Sequence, residues 1–134
     1  MNILHAKPEH LSQLTPLDEH ISEVELASLI CQKRVLIAVE NGLVCGWLRW
    51  NLFWDNTPFM NMLFLTDPHR GKGWGKTLVE KWETEMMQLG YSTIMTSTAS
   101  DEYAQHFYQK LGYTSIGGFL LPGEPYEMIL CKSL

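Results

Sequence analysis

The nine residues "HRGKGWGKT", from His69 to Thr77, hold three glycines, one arginine and two lysines between two apolar stretches. Few backbones use such a segment. Glycine reaches positive φ without strain, so this density marks a chain that must turn tightly or meet another group at close range. Before it, "FMNMLFLT" (Phe59 to Thr66) reads as a strand. After it, Trp74, Leu78, Trp82 and Met86 recur every four residues, the stripe of a helix that stops at Gly90. A strand, a glycine loop and a helix in direct succession commit the chain to an α/β fold.

The remaining segments extend that reading. "NILHA" is a short first strand before Pro8. Ser22 followed by Glu25 is a capping box, predicting a helix from Ser22 to Lys33. "RVLIAVE" and "LVCGWLRWNLFW" are β-branched and aromatic-rich strands joined at Asn41-Gly42, the strongest short hairpin signal. A turn at Asp55-Asn56-Thr57-Pro58 leads into the Phe59 to Thr66 strand. Beyond Gly90, "STIMTST" reads as a strand and "DEYAQHFYQKL" as a helix ending at Gly112. "YTSIGGFLL" and "YEMILCKSL" form a last strand pair. The order β, α, three-strand meander, α, β, α, β, β describes a mixed sheet with helices over it, in one domain spanning residues 1 to 134.

Composition narrows the function. No stretch approaches the eighteen or so apolar residues of a membrane span and the N-terminus lacks a signal-peptide pattern, so the expectation is a soluble, cytoplasmic chain. Cys31, Cys45 and Cys131 are too scattered for a disulfide framework or zinc motif and are expected to be buried thiols. No histidine spacing suggests a metal site. A net charge of −5 opposes nucleic-acid binding and suits a neutral or cationic small partner.

Helix N-termini favour anions, so phosphate suits the glycine loop. Two familiar phosphate loops fail by counting. A Walker A loop needs a glycine where Arg70 stands, and a dinucleotide fingerprint needs G-x-G-x-x-G where Gly71, Gly73 and Gly75 give G-x-G-x-G. What remains is R-x-x-G-x-G, Arg70 to Gly75.

That pattern, within "LFLTDPHRGKGWGKTLVEKWE", resembles the strand, pyrophosphate loop and helix of the GCN5-related N-acetyltransferases. "AQHFYQKLGY" resembles the same family's A-x-x-F-Y-x-K-L-G-[FY] segment. The resemblance implies the acyl-CoA N-acyltransferase fold, an α/β arrangement with a mixed, mostly antiparallel central sheet and flanking helices. It implies acetyl-CoA as cosubstrate, no metal, and direct attack by a primary amine of a small molecule or protein. Arg70, Gly71, Lys72, Gly73, Trp74, Gly75 and Lys76 would then hold the pyrophosphate, and the backbones of Phe64, Leu65 and Thr66 the pantetheine arm. The Leu65 N–H would polarise the thioester carbonyl, and Tyr108 would be the general acid for the leaving thiolate. Many family members have asparagine where this chain has Asp101, so Asp101 is a weaker cofactor contact and a candidate N-cap of the helix.

The acceptor side has no motif. Trp54, Asn61 and Glu127 are the candidates for binding the amine, with Glu40, Asp55 and Glu124 as further carboxylates. Neither nucleic acid nor a membrane is an expected partner, and the apolar edge of the meander suggests a homodimer. The alternative is a noncatalytic acyl-CoA-binding module, in which Tyr108 is dispensable.

Overall fold

The computed structural model describes residues 1–134. Its strands are β1 (Asn2–His5), β2 (Val35–Glu40), β3 (Leu43–Phe53), β4 (Thr57–Leu65), β5 (Thr93–Ala99), β6 (Thr114–Phe119) and β7 (Glu127–Ser133). Four α-helices accompany them: α1 (Leu11–Leu17), α2 (Glu23–Cys31), α3 (Trp74–Gln88) and α4 (Ala104–Lys110). The strands form one seven-stranded sheet in the order β1-β2-β3-β4-β5-β7-β6. The β4–β5 step is parallel, Phe59 facing Met95 and Met60 facing Thr96, while β1–β2, β2–β3, β5–β7 and β6–β7 are antiparallel. This is the mixed, mostly antiparallel arrangement expected. No helix is long and apolar enough to cross a membrane.

The chain packs as two units. The first contains Met1–Asn51 and Met62–Trp82. Its core gathers Leu14, Leu26, Leu29, Ile30, Val35, Ile37 and Trp47, all nearly or fully buried. Helix α2 begins where expected, with Ser22 Oγ accepting from the Glu25 N–H at 3.2 Å, a cap that contributes about 1 kcal/mol. Asn41 and Gly42 both take positive φ, +53° and +76°, as a type I′ hairpin requires. Strand β1 pairs with β2 from Asn2–Val39 to His5–Leu36, so the meander edge that suggested dimerisation is covered. Leu78, Val79 and Trp82 of α3 are fully buried, as their stripe predicts.

The second unit contains Leu52–Asn61 and Glu83–Leu134. Its strand β7 lies between β5 and β6. Glu83 forms a largely buried polar cluster, accepting from Tyr113 Oη at 2.8 Å and from Lys132 Nζ at 3.0 Å. Tyr113 is therefore a packing residue.

Three local expectations need correction. The turn before β4 sits at Trp54–Asn56, with Trp54 and Asp55 at φ +54° and +63° and Asn56 N–H bonded to the Phe53 carbonyl at 3.2 Å. Thr57 and Pro58 already belong to the strand. Helix α4 starts at Ala104 behind Tyr103, so Asp101 does not cap it. Of the cysteines only Cys45 is buried; Cys131 is half-buried and Cys31 exposed.

Candidate active site

The end of β4 shows which backbone groups are free for a ligand. Thr66 N–H donates to the Cys45 carbonyl of β3 at 2.9 Å, and the Thr66 carbonyl accepts from His69 N–H at 2.9 Å. Both Thr66 groups are used. Successive residues of a strand direct their backbone groups to opposite edges, so those of Leu65 face away from β3. Of Phe64, Leu65 and Thr66, Leu65 alone turns its N–H to that edge. Its carbonyl accepts from Arg70 Nε at 2.9 Å. The Arg70 guanidinium also lies 4.8 Å above the Phe64 ring and 3.3 Å from Asp67. On β3, Gly46 lets this end of β4 approach: a Cβ there would strike the Leu65 side chain and come within 3.1 Å of the Phe64 carbonyl.

The loop that follows is shaped by backbone conformation. Gly71 and Gly73 take φ +75° and +85°, and nothing lies within 4 Å of a Cβ added at either. Glycine is demanded here by φ, with space to spare. Thr77 then donates from both N and Oγ1 to the Gly73 carbonyl at 3.1 and 3.0 Å, fixing the first turn of α3. From Gly71 to Lys76 no backbone N–H makes a hydrogen bond of good geometry within the chain. Six consecutive donors, three of them the orphan groups of a helix start, are thus presented at the positive end of a fifteen-residue helix. Arg70, Lys72 and Lys76 add positive charge around them. The loop residues expected from the sequence lie together on a surface whose donors and charge suit an anion.

In the second unit, Tyr108 is only 7% exposed. Its ring packs edge-on against Phe107 and Tyr113, with centroids 5.2 and 5.6 Å away. Burial pushes its phenol up to about 12, the hydrogen bond with the Thr96 side chain partly opposes the rise, and Glu102 reinforces it. The Thr96 hydroxyl in turn donates to the Met60 carbonyl at 3.0 Å. The phenol is therefore protonated across the neutral range and holds a proton to give.

The same unit contains a cavity of about 620 Å³, bordered by the carboxylates Asp101, Glu102, Glu124 and Glu127 and by Phe119 and Leu121. No basic residue lines it. Glu102 accepts weakly from Thr98 Oγ1 at 3.4 Å. The expected site residues Glu127 and Asp101 meet here. Trp54 and Asn61 do not: Trp54 is 79% exposed on its turn, its ring tilted against Phe53 at 4.8 Å, and Asn61 is exposed on β4.

One feature of the first unit escaped sequence reasoning. The Asp18 carboxylate, 2% exposed, accepts from Arg49 Nε at 2.7 Å, from Arg49 Nη2 at 3.3 Å and from Trp47 Nε1 at 3.0 Å. Burial raises its pKa, but the Arg49 hydrogen bond and charge outweigh that and hold the carboxyl below its ordinary value. Asp18 and Trp47 border a second cavity, of about 300 Å³, with Met62 and Phe64. The available signal was the i, i+2 spacing of Trp47 and Arg49, which puts both on one face of β3.

Comparison with known proteins agrees with this geometry. The profile of the acetyltransferase (GNAT) family matches residues 5–113. The chain belongs to that family, the N-acetyltransferase class that its loop and α4 motifs resemble. No curated protein matches the sequence. Among solved structures, Ard1 from Thermoplasma volcanium is similar with a TM-score of 0.85 and 13% identity, over 99% of this chain and 97% of that one. The PaiA N-acetyltransferase from Thermoplasma acidophilum, determined in complex with coenzyme A, superposes with a TM-score of 0.83 at 18% identity, over 99% and 98% of the two chains. The ribosomal-protein-S18-alanine N-acetyltransferase from Escherichia coli gives 0.79 at 16% identity, over 98% and 92%.

Proposed function

We propose that this chain, acting as one catalytic domain, is an acetyl-CoA-dependent N-acetyltransferase that moves an acetyl group to a primary amine of a small molecule or protein by direct attack. The observation that carries the reading is the row of six unpartnered N–H groups from Gly71 to Lys76, which suits the pyrophosphate of coenzyme A. That structural neighbours are N-acetyltransferases, one of them determined with coenzyme A, supports it.

In this reading the Leu65 N–H receives the thioester oxygen as it gains negative charge. The amine lone pair attacks the acetyl carbon; the C–N bond forms, the C–S bond breaks, and the thiolate takes the proton of the Tyr108 phenol. The extra proton that the nitrogen carries once it is bonded to the acetyl carbon goes to a carboxylate or to water. Glu127 is our candidate for that base, because it borders a cavity whose charged lining is wholly acidic.

The test is a thermal melt of the purified chain with acetyl-CoA, ATP or NAD, repeated for Gly73→Glu. Ligand present at about 100 times its Kd stabilises by roughly 2.7 kcal/mol, a shift of several degrees for a domain of this size. A rise with acetyl-CoA alone, lost in the variant, is expected. No rise with acetyl-CoA would overturn the proposal. Binding without turnover of any primary amine, with Tyr108→Phe indistinguishable from wild type, would favour a noncatalytic acyl-CoA-binding module.

A further inference from the structure

Where β2, β3 and the start of the glycine loop meet, the fold assembles three side chains that no sequence motif connects. Glu40 ends β2, Cys45 lies on β3, and His69 stands immediately before Arg70. A carboxylate oxygen of Glu40, the Sγ of Cys45 and a ring nitrogen of His69 all lie within 4.8 Å of one another. His69 Nε2 is 2.7 Å from Glu40 Oε2. Its other nitrogen, Nδ1, is 2.9 Å from Thr66 Oγ1, and Thr66 Oγ1 donates to the Cys45 carbonyl at 3.2 Å. When the Thr66 hydroxyl is used in that way, it accepts from Nδ1–H. His69 thus has one ring nitrogen held by Thr66 and the other directed at the Glu40 carboxylate, the side on which a cation would be bound. Fixing one imidazole nitrogen so that the other can ligate is how metal-bound histidines are oriented.

We propose that Glu40, Cys45 and His69 form a binding site for a single divalent transition-metal ion, Zn²⁺ by the chemistry of its donors. One thiolate, one imidazole and one carboxylate are the mixed ligand set of a borderline-soft cation, and they exclude Mg²⁺ and Ca²⁺, which take oxygen ligands. Tetrahedral bonds of about 2.0–2.3 Å put neighbouring donors roughly 3.3–3.6 Å apart. Reaching those separations requires the Glu40–His69 contact to open. Room for it exists, since the Glu40 side chain is 45% exposed and that of His69 22%, which also gives an ion a route from solvent. On binding, Cys45 releases its thiol proton to solvent, and a protonated His69 releases the one on Nε2. The fourth position is left to water. An ion there would tie β2 and β3 to the residue that leads into the glycine loop, in a site distinct from the loop's own donors.

The experiment uses the untagged, chelator-stripped chain of 134 residues, with no acetyl-CoA present, so that its outcome is independent of the acetyltransferase reading. Zn²⁺ is titrated against a competing chromophoric chelator, and Co²⁺ is used as a spectroscopic substitute. One Zn²⁺ per chain and a thiolate-to-Co²⁺ charge-transfer band are expected. His69→Ala and Glu40→Gln should each weaken Zn²⁺ binding at least tenfold, and Thr66→Val, which loosens the imidazole, by about tenfold. Position 40, exposed, and position 69, half-buried, keep the test informative if Cys45→Ser, in the core of β3, does not fold. Absence of stoichiometric Zn²⁺, absence of the charge-transfer band, or undiminished binding in His69→Ala would overturn the proposal.

Discussion

Arg70 Nε donates to the carbonyl of Leu65 at 2.9 Å, so the side chain that opens the glycine loop holds the last carbonyl of β4. A pantetheine amide pairing with this edge would need that carbonyl, and the guanidinium freed from it would be available to phosphate. Arg70→Ala removes the cation along with the bond. The KM for acetyl-CoA should rise about 10- to 100-fold, the equivalent of the 1.5–3 kcal/mol usual for a charge-assisted hydrogen bond, with kcat within about twofold. Initial rates against acetyl-CoA concentration check this; an unchanged KM would show that Arg70 serves only the chain's own backbone.

Gly71 and Gly73 separate conformation from crowding. An alanine at either meets no atom within 4 Å, yet must adopt a φ near +75° or +85°. Gly71→Ala and Gly73→Ala should each destabilise the chain by about 1–2 kcal/mol. Urea unfolding measures it. Wild-type stability in both would mean that the loop relaxes to negative φ at little cost.

Tyr108 links the proposed chemistry to alkaline stability. An unfolded tyrosine ionises near 10 and this one at about 12, so the folded state keeps its full advantage below pH 10 and loses it as pH rises through 12. That difference corresponds to about 2.7 kcal/mol. Tyr108→Phe should lack this share of the alkaline loss, though Tyr113, also raised by burial and by Glu83, retains its own. The same substitution should lower kcat about 10²- to 10⁴-fold with cofactor affinity preserved. Denaturation at pH 9 and above pH 11, paired with single-turnover rates, tests both halves.

The buried Asp18–Arg49 pair works at the acid end. Because the Asp18 pKa lies below its ordinary 3.8, its contribution is present above that value and is lost as pH falls through the folded pKa. Arg49→Met strands a carboxylate without its counter-charge and should cost about 3–5 kcal/mol, moving the midpoint of acid unfolding upward. Circular dichroism across an acid titration reads the shift; coincident curves would mean that Trp47 Nε1 and the His20 N–H together satisfy Asp18.

What was legible in the sequence follows locality. The Asn41-Gly42 hairpin, the glycine loop and the α3 stripe each obey rules acting over a few residues. Helix α1 was missed because it is seven residues long, carries Pro16 inside, follows directly on a turn at Pro8–His10 and buries only Leu14. The turn before β4 was placed too late because Trp54 and Asp55, neither a glycine, take its positive φ values. Asp101 looked like a cap by composition, but the chain continues through a turn to Tyr103 before α4 begins. Asp18 with Arg49, 31 residues apart, and Glu40 with His69, 29 apart, meet only through tertiary packing, which no spacing rule reads.

Strand β6 pairs on one side only, with β7, and is exposed along its whole length, Ile116 and Phe119 included. Such an outermost ribbon is an invitation to fibril growth. Its register shifts between Ser115 and Gly117, and Gly117 takes φ +142°, a conformation that few side chains tolerate. An incoming chain trying to extend the ladder would fall out of step midway. That irregularity serves as a built-in stop against open-ended assembly, and straightening it should be felt first as precipitation during expression.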